Sequence, residues 1–446
     1  MRAMSARAPA RAVLALGLLL WTLPGWAMSP VQHWTLANGV RVYFVRAPQL
    51  PMVDLRVVFD AGSARDGAHA GLARLTNTLL ADGAGDLNAD RIATKFDALG
   101  AQFSSGASRD MAWVSLRSLS GAGPLGEASG LVARILTAPR FAAADFRRER
   151  ARMRVAVKGR EQSLGDVAGR AFYRALYRGH PYASPPGGSA RSLAALTRTE
   201  VRRFHRRYYV GRNAVMAIVG ALDRRGAQAL ARRVAGALPA GAPAPELPPV
   251  RDPAAPRSVE IHRVSTQTHV RVGTVGMRRG DPDYFPLYVG NHVLGGSGLV
   301  SRLSREIRER RGLSYSVYSY FLPMRRRGPF LMGLQTRNGH TREAVGLLRA
   351  ELRRFVADGP TDKELQAAKE NIIGGFPLRI DSNADIVGYL AMIGFYRLPL
   401  DYLQTFPDRV RAVTRTRIRD AFRRRIDPRR LVTVIVGGGA PAPGSR

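Results

Sequence analysis

Two stretches decide the architecture: WVSLRSLSGAGPLGEASGLVARILTAPRFAAADFRRERARM at 113–153, and FLMGLQTRNGHTREAVGLLRAELRRFVADGPTDKELQAAKENI at 330–372. Each opens on an apolar-rich run that reads as a strand. Each then crosses a polar, glycine-containing connection into an amphipathic helix. A loop follows, then a second and more charged helix. A period of roughly 200 residues implies a duplicated domain, since solenoid repeats run to only about 20–50 residues.

Working outward, both halves carry the same order of elements. In the first, Trp34-Thr35-Leu36 and Val40 to Val45 flank Asn38-Gly39, a strong hairpin signal. Val53 to Phe59 alternates as a third strand. Helical stretches follow near 71–81 and 88–99, then strands near 101–107 and 111–119. Helices are expected at 121–136, 142–162, 164–178 and 198–208, and a strand runs from Asn213 into Gly220. In the second half, strands are expected near 258–263 and 268–276, and helices near 284–294 and 299–310. Strands near 313–321 and 329–335 come next, then helices near 341–357, 362–372, 385–396 and 414–424. A last strand runs from Leu431 to Val436. Between the halves, LPAGAPAPELPPVRDPAA (239–256) is dense in Pro and Ala without apolar periodicity, an extended and semi-rigid linker. Strands in runs and helices in runs give the fold class as α+β: two homologous domains, each a mostly antiparallel sheet covered by helices. The domains span 28–238 and 257–440, with a tail at 441–446.

Composition narrows the chemistry. The chain has 446 residues, 45% of them apolar, enough for large cores. It has no cysteine, which removes disulfides, thiolate metal sites and cysteine nucleophiles together. The formal charge is +35, and only four of the 69 basic residues are lysines. Such an arginine bias is compositional, so the charge carries little functional weight. Arg2, Arg7 and Arg11 precede an apolar run from Ala12 to Trp21, too short for a bilayer span, and Gly25-Trp26-Ala27 supplies small residues for cleavage. Residues 1–27 therefore read as an export signal cut after Ala27, which leaves 419 residues and a charge of +32. No later run is long and apolar enough to span a membrane. A bacterial periplasm is the expected location. Export argues against nucleic acid as a specific partner, although this much charge binds it nonspecifically. Anionic lipid headgroups or an acidic protein are the expected counterparts.

Gly71-Leu72-Ala73-Arg74-Leu75-Thr76-Asn77-Thr78-Leu79 resembles the Gly-Leu-Ala-His-Leu-x-Glu-His-Met stretch of the insulinase/pitrilysin family, which includes the mitochondrial processing peptidases. Val210 to Gly220 resembles the end of that family's first domain. Leu294-Gly295-Gly296 to Leu303, followed by Arg308 to Tyr315, resembles the signature of its second. The resemblance covers nearly all of the chain after the leader and implies a clam shell. Active members hold zinc on His-x-x-Glu-His, two imidazoles on one helix face with a glutamate base between them. Here the histidine positions are Arg74 and Thr78, and the base position is Asn77. The distant glutamate falls near Val155-Ala156. A guanidinium has no free lone pair, and an amide is no general base. The eight histidines show no i, i+4 pair and no His-Glu cluster, so no catalytic zinc is expected in this chain.

The other half of the family's site survives. The resemblance implies that Arg308 and Tyr315, seven residues apart, reach a zinc site, bind the substrate backbone and polarise the scissile carbonyl. Arg308 is expected in the last turns of a helix, Gly312 at a tight exit and Tyr315 at the start of a strand. A solvated basic face and a packed tyrosine are the plainer alternative, since five arginines lie between 302 and 311. Gly295-Gly296-Ser297-Gly298 lacks the phosphate-loop pattern and reads as a flexible approach to a helix. G-x-S-x-G is absent, which leaves serine hydrolysis without support.

The function implied is the zinc-less subunit of a heterodimeric peptidase. A homologous His-x-x-Glu-His partner would carry the zinc, and peptides or unfolded chains would be substrates, held partly by strand addition to a sheet edge. Arg74 is a candidate for holding a peptide carboxylate, against a surface or core-lining role. The rival readings are a non-catalytic peptide-binding or assembly protein of the cell envelope, and a hydrolase with an unrecognised site.

Overall fold

Asn38-Gly39 turns the chain as the dipeptide dictates. Gly39 takes φ +92°, and β1 (Gln32–Thr35) pairs antiparallel with β2 (Arg41–Arg46). The structure is a computed structural model and describes residues 29–439. The expected leader, its cleavage after Ala27 and the tail at 441–446 lie outside them.

The first half continues through β3 (Met52–Phe59), α1 (Leu72–Thr78) and a two-residue pairing of β4 (Gly83–Ala84) with β5 (Leu87–Asn88). Then come α2 (Ala89–Ala98), β6 (Gln102–Ala107), β7 (Ala112–Leu119), α3 (Ala122–Thr137), α4 (Ala143–Gln162) and α5 (Leu164–Leu176). It closes with α6 (Ala190–Ala195), α7 (Arg198–Tyr208), β8 (Ala214–Gly220) and α8 (Arg224–Ala235). The sheet order is β1-β2-β8-β3-β7-β6, and only β2–β8 is parallel. Every residue of β8 is buried, which explains why AVMAIVG is apolar without alternation.

The second half runs β9 (Arg257–Val264), β10 (Gln267–Val275), α9 (Tyr284–Asn291), β11 (Val317–Phe321) and β12 (Pro329–Arg337). It ends α10 (Thr341–Asp358), α11 (Asp362–Gly374), α12 (Asn383–Tyr396), α13 (Phe406–Arg411), α14 (Arg415–Arg425) and β13 (Val432–Gly439). Its sheet order, β9-β13-β10-β12-β11, repeats β2-β8-β3-β7-β6 strand for strand, with β9–β13 the one parallel pair. The duplication legible at 113–153 and 330–372 therefore extends to the whole sheet. The fold is α+β with two mostly antiparallel sheets, as expected. No described helix is long and apolar enough to cross a membrane.

The two halves exchange helices. α5 lies on β9, β10 and β13 of the second sheet, and α12 lies on β2, β3 and β8 of the first. Phe172 of α5 is fully buried in a cluster with Val432, Val434 and Val436. Gly273 makes room for it, since a Cβ there would stand 2.9 Å from the Phe172 ring. Gly394 of α12 does the same against Val215 and Tyr43, at 2.5 and 2.6 Å. Glycine is used at these crossings for close approach.

Some expectations are corrected. The helix expected at 299–310 is not one α-helix. A 3₁₀ turn at Gly298–Val300 precedes a π-helical turn at Ser304–Glu309. The strand expected from 313 begins at Val317. The helices α6, α8 and α13 were not anticipated. On α8 the inward residues are mostly alanine (Ala227, Ala231, Ala235), a faint apolar signal among arginines. Residues 239–256 carry no helix or strand, and the segment is pinned. Arg326 Nε donates to Leu247 O at 2.6 Å, Arg327 to Val250 O at 2.8 Å, and Arg65 to Pro245 O at 2.6 Å.

Candidate functional site

Helix α1 carries the three degenerate positions, and its start is built from both sides. Gly71 takes φ +97°, which a side chain would resist. A Cβ at Gly71 would also fall 2.9 Å from Leu193 and 3.2 Å from Gly188 Cα, so the Pro185-Pro186-Gly187-Gly188 loop sits on the helix start. Buried Asp66 caps the helix. Its two oxygens accept from Gly71 N at 2.8 Å and Ala73 N at 2.7 Å. Burial pushes its carboxyl up to about 7, against the pull of those two donors.

From this frame the three positions diverge. Asn77 is buried, and its Nδ2 donates to Trp113 O at 3.1 Å and to Tyr209 Oη at 3.3 Å. It has become a core hydrogen-bonding residue. Thr78 is half-buried, and Arg74 is exposed. Where the distant glutamate would fall, Val155 is 73% exposed and Ala156 carries only a methyl group. A guanidinium, an engaged amide and an aliphatic pair offer no lone-pair set for zinc, so these residues do not fit that metal. Among the described residues no three His, Cys, Asp or Glu side chains converge. Histidine and glutamate do meet twice: His69 Nδ1 is 2.8 Å from Glu200, and His340 is 3.5 Å from Glu343. Each pair is one carboxylate and one imidazole, too few ligands for a metal site.

Arg74 opens onto a cleft of about 490 Å³ between the halves. Its walls come from separated segments: Arg109 and Asp110 at the β6–β7 turn, Arg160 on α4, and Arg279 and Met324 from the second half. Arg160 packs over Gly187, where a Cβ would sit 2.7 Å from the guanidinium. Arg109 lies 3.5 Å from the Tyr173 ring centroid, and its Nε donates to Tyr182 O at 3.1 Å. Arg279 stacks toward Tyr284 and Tyr396, and its buried Nε has no hydrogen-bond partner. Asp110, the one acid in the wall, is already saturated. It accepts from Tyr182 Oη at 2.6 Å, Tyr396 Oη at 2.9 Å and Arg325 N at 2.6 Å. Of these residues sequence reasoning reached only Arg74. The others come from different elements, and no local motif links them.

Arg308 and Tyr315 stand apart from this cleft, since neither lines it. Arg308 lies in the π-helical turn Ser304–Glu309, not in an α-helix. Its carbonyl accepts from Gly312 N at 3.0 Å, and Gly312 takes φ +60°, the tight exit expected. Tyr315 is 93% exposed and lies two residues before β11, not on it. The backbone between is claimed by side chains: Thr336 Oγ1 donates to Leu313 O at 2.7 Å, and Ser314 Oγ to Ser316 O at 2.9 Å. The glycine run at 295–298 is mostly not a flexible approach. Gly295 is buried, and a Cβ on it would lie 2.5 Å from Ser319 Oγ. Gly298, at φ +62° with open space around it, is the one free member.

Comparison with known proteins agrees with this geometry. The family described as Insulinase (Peptidase family M16) matches residues 41–188, and that described as Peptidase M16 inactive domain matches 195–372. The chain is 30% identical over 368 residues to an uncharacterized zinc protease of Mycobacterium tuberculosis, covering 81% of this chain and 82% of that protein. It is 24% identical to the Non-peptidase homolog YmxG of Helicobacter pylori, covering 94% and 97%. Among solved structures it matches a peptidase M16 inactive domain from Pseudomonas fluorescens. There the TM-score is 0.89 at 38% identity, over 92% of this chain and 99% of that one. The chain therefore belongs to the insulinase (M16) peptidase family, as a homologue without the zinc motif.

Proposed function

We propose that this chain is the zinc-less subunit of a periplasmic heterodimeric peptidase. It holds no cofactor of its own and lends Arg308 and Tyr315 to a homologous partner that carries His-x-x-Glu-His and zinc. The observation that carries the reading is Tyr315. A tyrosine 93% exposed, seven residues after a half-buried arginine as in the family, has no packing role within its own chain. Large exposed aromatics are uncommon except where a partner or ligand covers them. A cation and a phenol hydroxyl held near a scissile carbonyl stabilise the developing oxyanion, and one such donor is worth about 10²–10³ in rate. Substrates are peptides or unfolded chains, with Arg74 on the substrate side.

The test is partner-dependent peptide cleavage by the co-purified pair. Arg308→Ala and Tyr315→Phe are each expected to lower kcat by about 10²–10³ while the complex still assembles. Unchanged cleavage with both replaced sinks the half-site. The second reading, a peptide-binding or assembly protein of the cell envelope, is favoured by the likeness to the Non-peptidase homolog of Helicobacter pylori. Recovery of the chain with no zinc-bearing partner would support it.

A further inference from the structure

We infer that the cleft between the halves is a binding site for the carboxylate end of a peptide, read by Arg74, Arg160 and Arg279. The inference rests on the peptide-handling part of the proposed function and not on the zinc partner. With 69 basic and 34 acidic residues, an unpaired arginine is ordinary in this chain. Convergence is not. Arg74, Arg109, Arg160 and Arg279 share one cleft, and among the described residues none of them forms an ion pair. Asp110 is spent on two tyrosine hydroxyls and a backbone N–H. Arg109, Arg160 and Arg279 are half-buried, one carboxylate cannot offset four guanidiniums, and an anion entering the cleft lowers their mutual repulsion. The buried Nε of Arg279 is a donor still lacking an acceptor.

The shape and the apolar wall select the anion. A volume of about 490 Å³ suits a small ligand or a chain end, not a folded domain. Met111, Leu322, Pro323, Met324 and Met392 stand beside the arginines. A bare inorganic anion has nothing to place against them, whereas a terminal peptide residue does. Thioether side chains adapt to different partners, so the wall tolerates varied terminal residues. Arginine forks bind carboxylate in bidentate fashion, which separates an acid terminus from an amide. Of the three degenerate positions on α1, only Arg74 lines the cleft.

The experiment uses the full chain alone and an N-terminally labelled peptide, made with either a free carboxylate or a carboxamide end. Anisotropy is read at two salt concentrations, because a chain of charge +35 attracts any anion at low salt. The free acid is expected to bind at least about tenfold tighter than the amide. The double variant Arg74→Gln, Arg160→Gln is expected to bring that ratio to about one, with Arg74→Lys retaining part of it. Arg232→Gln on the exposed side of α8 makes a single charge change of the same kind elsewhere, and should leave the ratio intact. Equal binding of acid and amide overturns the proposal. So does an equal loss with Arg232→Gln, which would mean bulk charge, or displacement by inorganic phosphate as effective as by unlabelled peptide acid. Thermal melts of each variant separate misfolding from lost binding. The readout is binding by the chain alone, with no zinc-bearing partner and no cleavage, so failure here and failure of the half-site are told apart.

Discussion

Asp66 is the residue on which α1 depends, and its environment sets a pH dependence. Both carboxylate oxygens face backbone N–H groups at the helix start, a placement that favours the anion. Burial opposes it and wins, so the group sits near 7 in the folded chain against 3.8 when exposed. The sign follows. The folded state binds this proton more tightly than the unfolded state does. Stability therefore falls as pH rises from about 4 to about 7 and is level above, by at most a few kcal/mol. Asp66→Asn should remove that slope, because an amide does not titrate. Urea midpoints for both proteins from pH 4 to 7.5 check this, and parallel slopes would overturn it. Asn77 shows what a single position does and does not disclose. That an amide cannot be the base is legible from its chemistry alone. That it ties α1 to Tyr209 and Trp113 is not, because those partners lie 132 and 36 residues away.

The element that presents Arg308 is held at its other end. Arg302 forks onto Glu364 at 2.8 and 2.6 Å and donates to Gly359 O at 3.0 Å, with Arg305 joining at 2.9 Å. Glu364 also caps α11 through a reciprocal box with Thr361. Those donors hold its carboxyl down to about 2 despite partial burial. Its stabilisation is present above about pH 4.5 and is lost as pH falls toward 2. Glu364→Ala should cost about 2–4 kcal/mol, since it strands Arg302 as well as uncapping α11. It should also speed hydrogen exchange across 301–316, and protection unchanged there would show that the fork does not position Arg308. At this scale the sequence reads faces well and partners poorly. The apolar stripe of 164–178 announces a buried face, but periodicity is silent on which sheet receives it. That sheet is the second half's, reached only because Gly273 clears space for Phe172. The false strand at 313–316 has a similar cause: Thr336 and Ser314 satisfy the polar groups that a ladder would have used.

At the scale of the molecule, the exchanged helices make the two halves structurally inseparable. Without α12, the first sheet would expose Tyr43, Val45, Val215, Ala217 and Val219, and without α5 the second would expose Val432, Val434 and Val436. The linker is a strap, bonded to both halves by Arg65, Arg326 and Arg327. Asp110 closes the centre: a first-half carboxylate accepting from Tyr396 and Arg325 of the second half. Motion between the domains of one chain would have to break all of these at once. The chain should accordingly unfold in one cooperative step despite its two-domain sequence. Asp110→Ala leaves two tyrosine hydroxyls and a backbone N–H without their acceptor in a buried site. A loss of about 3–5 kcal/mol is expected, with a single transition preserved because the exchanged helices still join the halves. Chemical unfolding followed in parallel by tryptophan fluorescence and far-ultraviolet circular dichroism reads both quantities. Trp34 and Trp113 belong to the first half, and no described tryptophan lies in the second. The fluorescence curve therefore follows one half while the dichroism follows both. Coincident curves support one unit. A fluorescence transition separated from the dichroism would mean that each half folds by itself, and the exchange would then be a contact between finished domains.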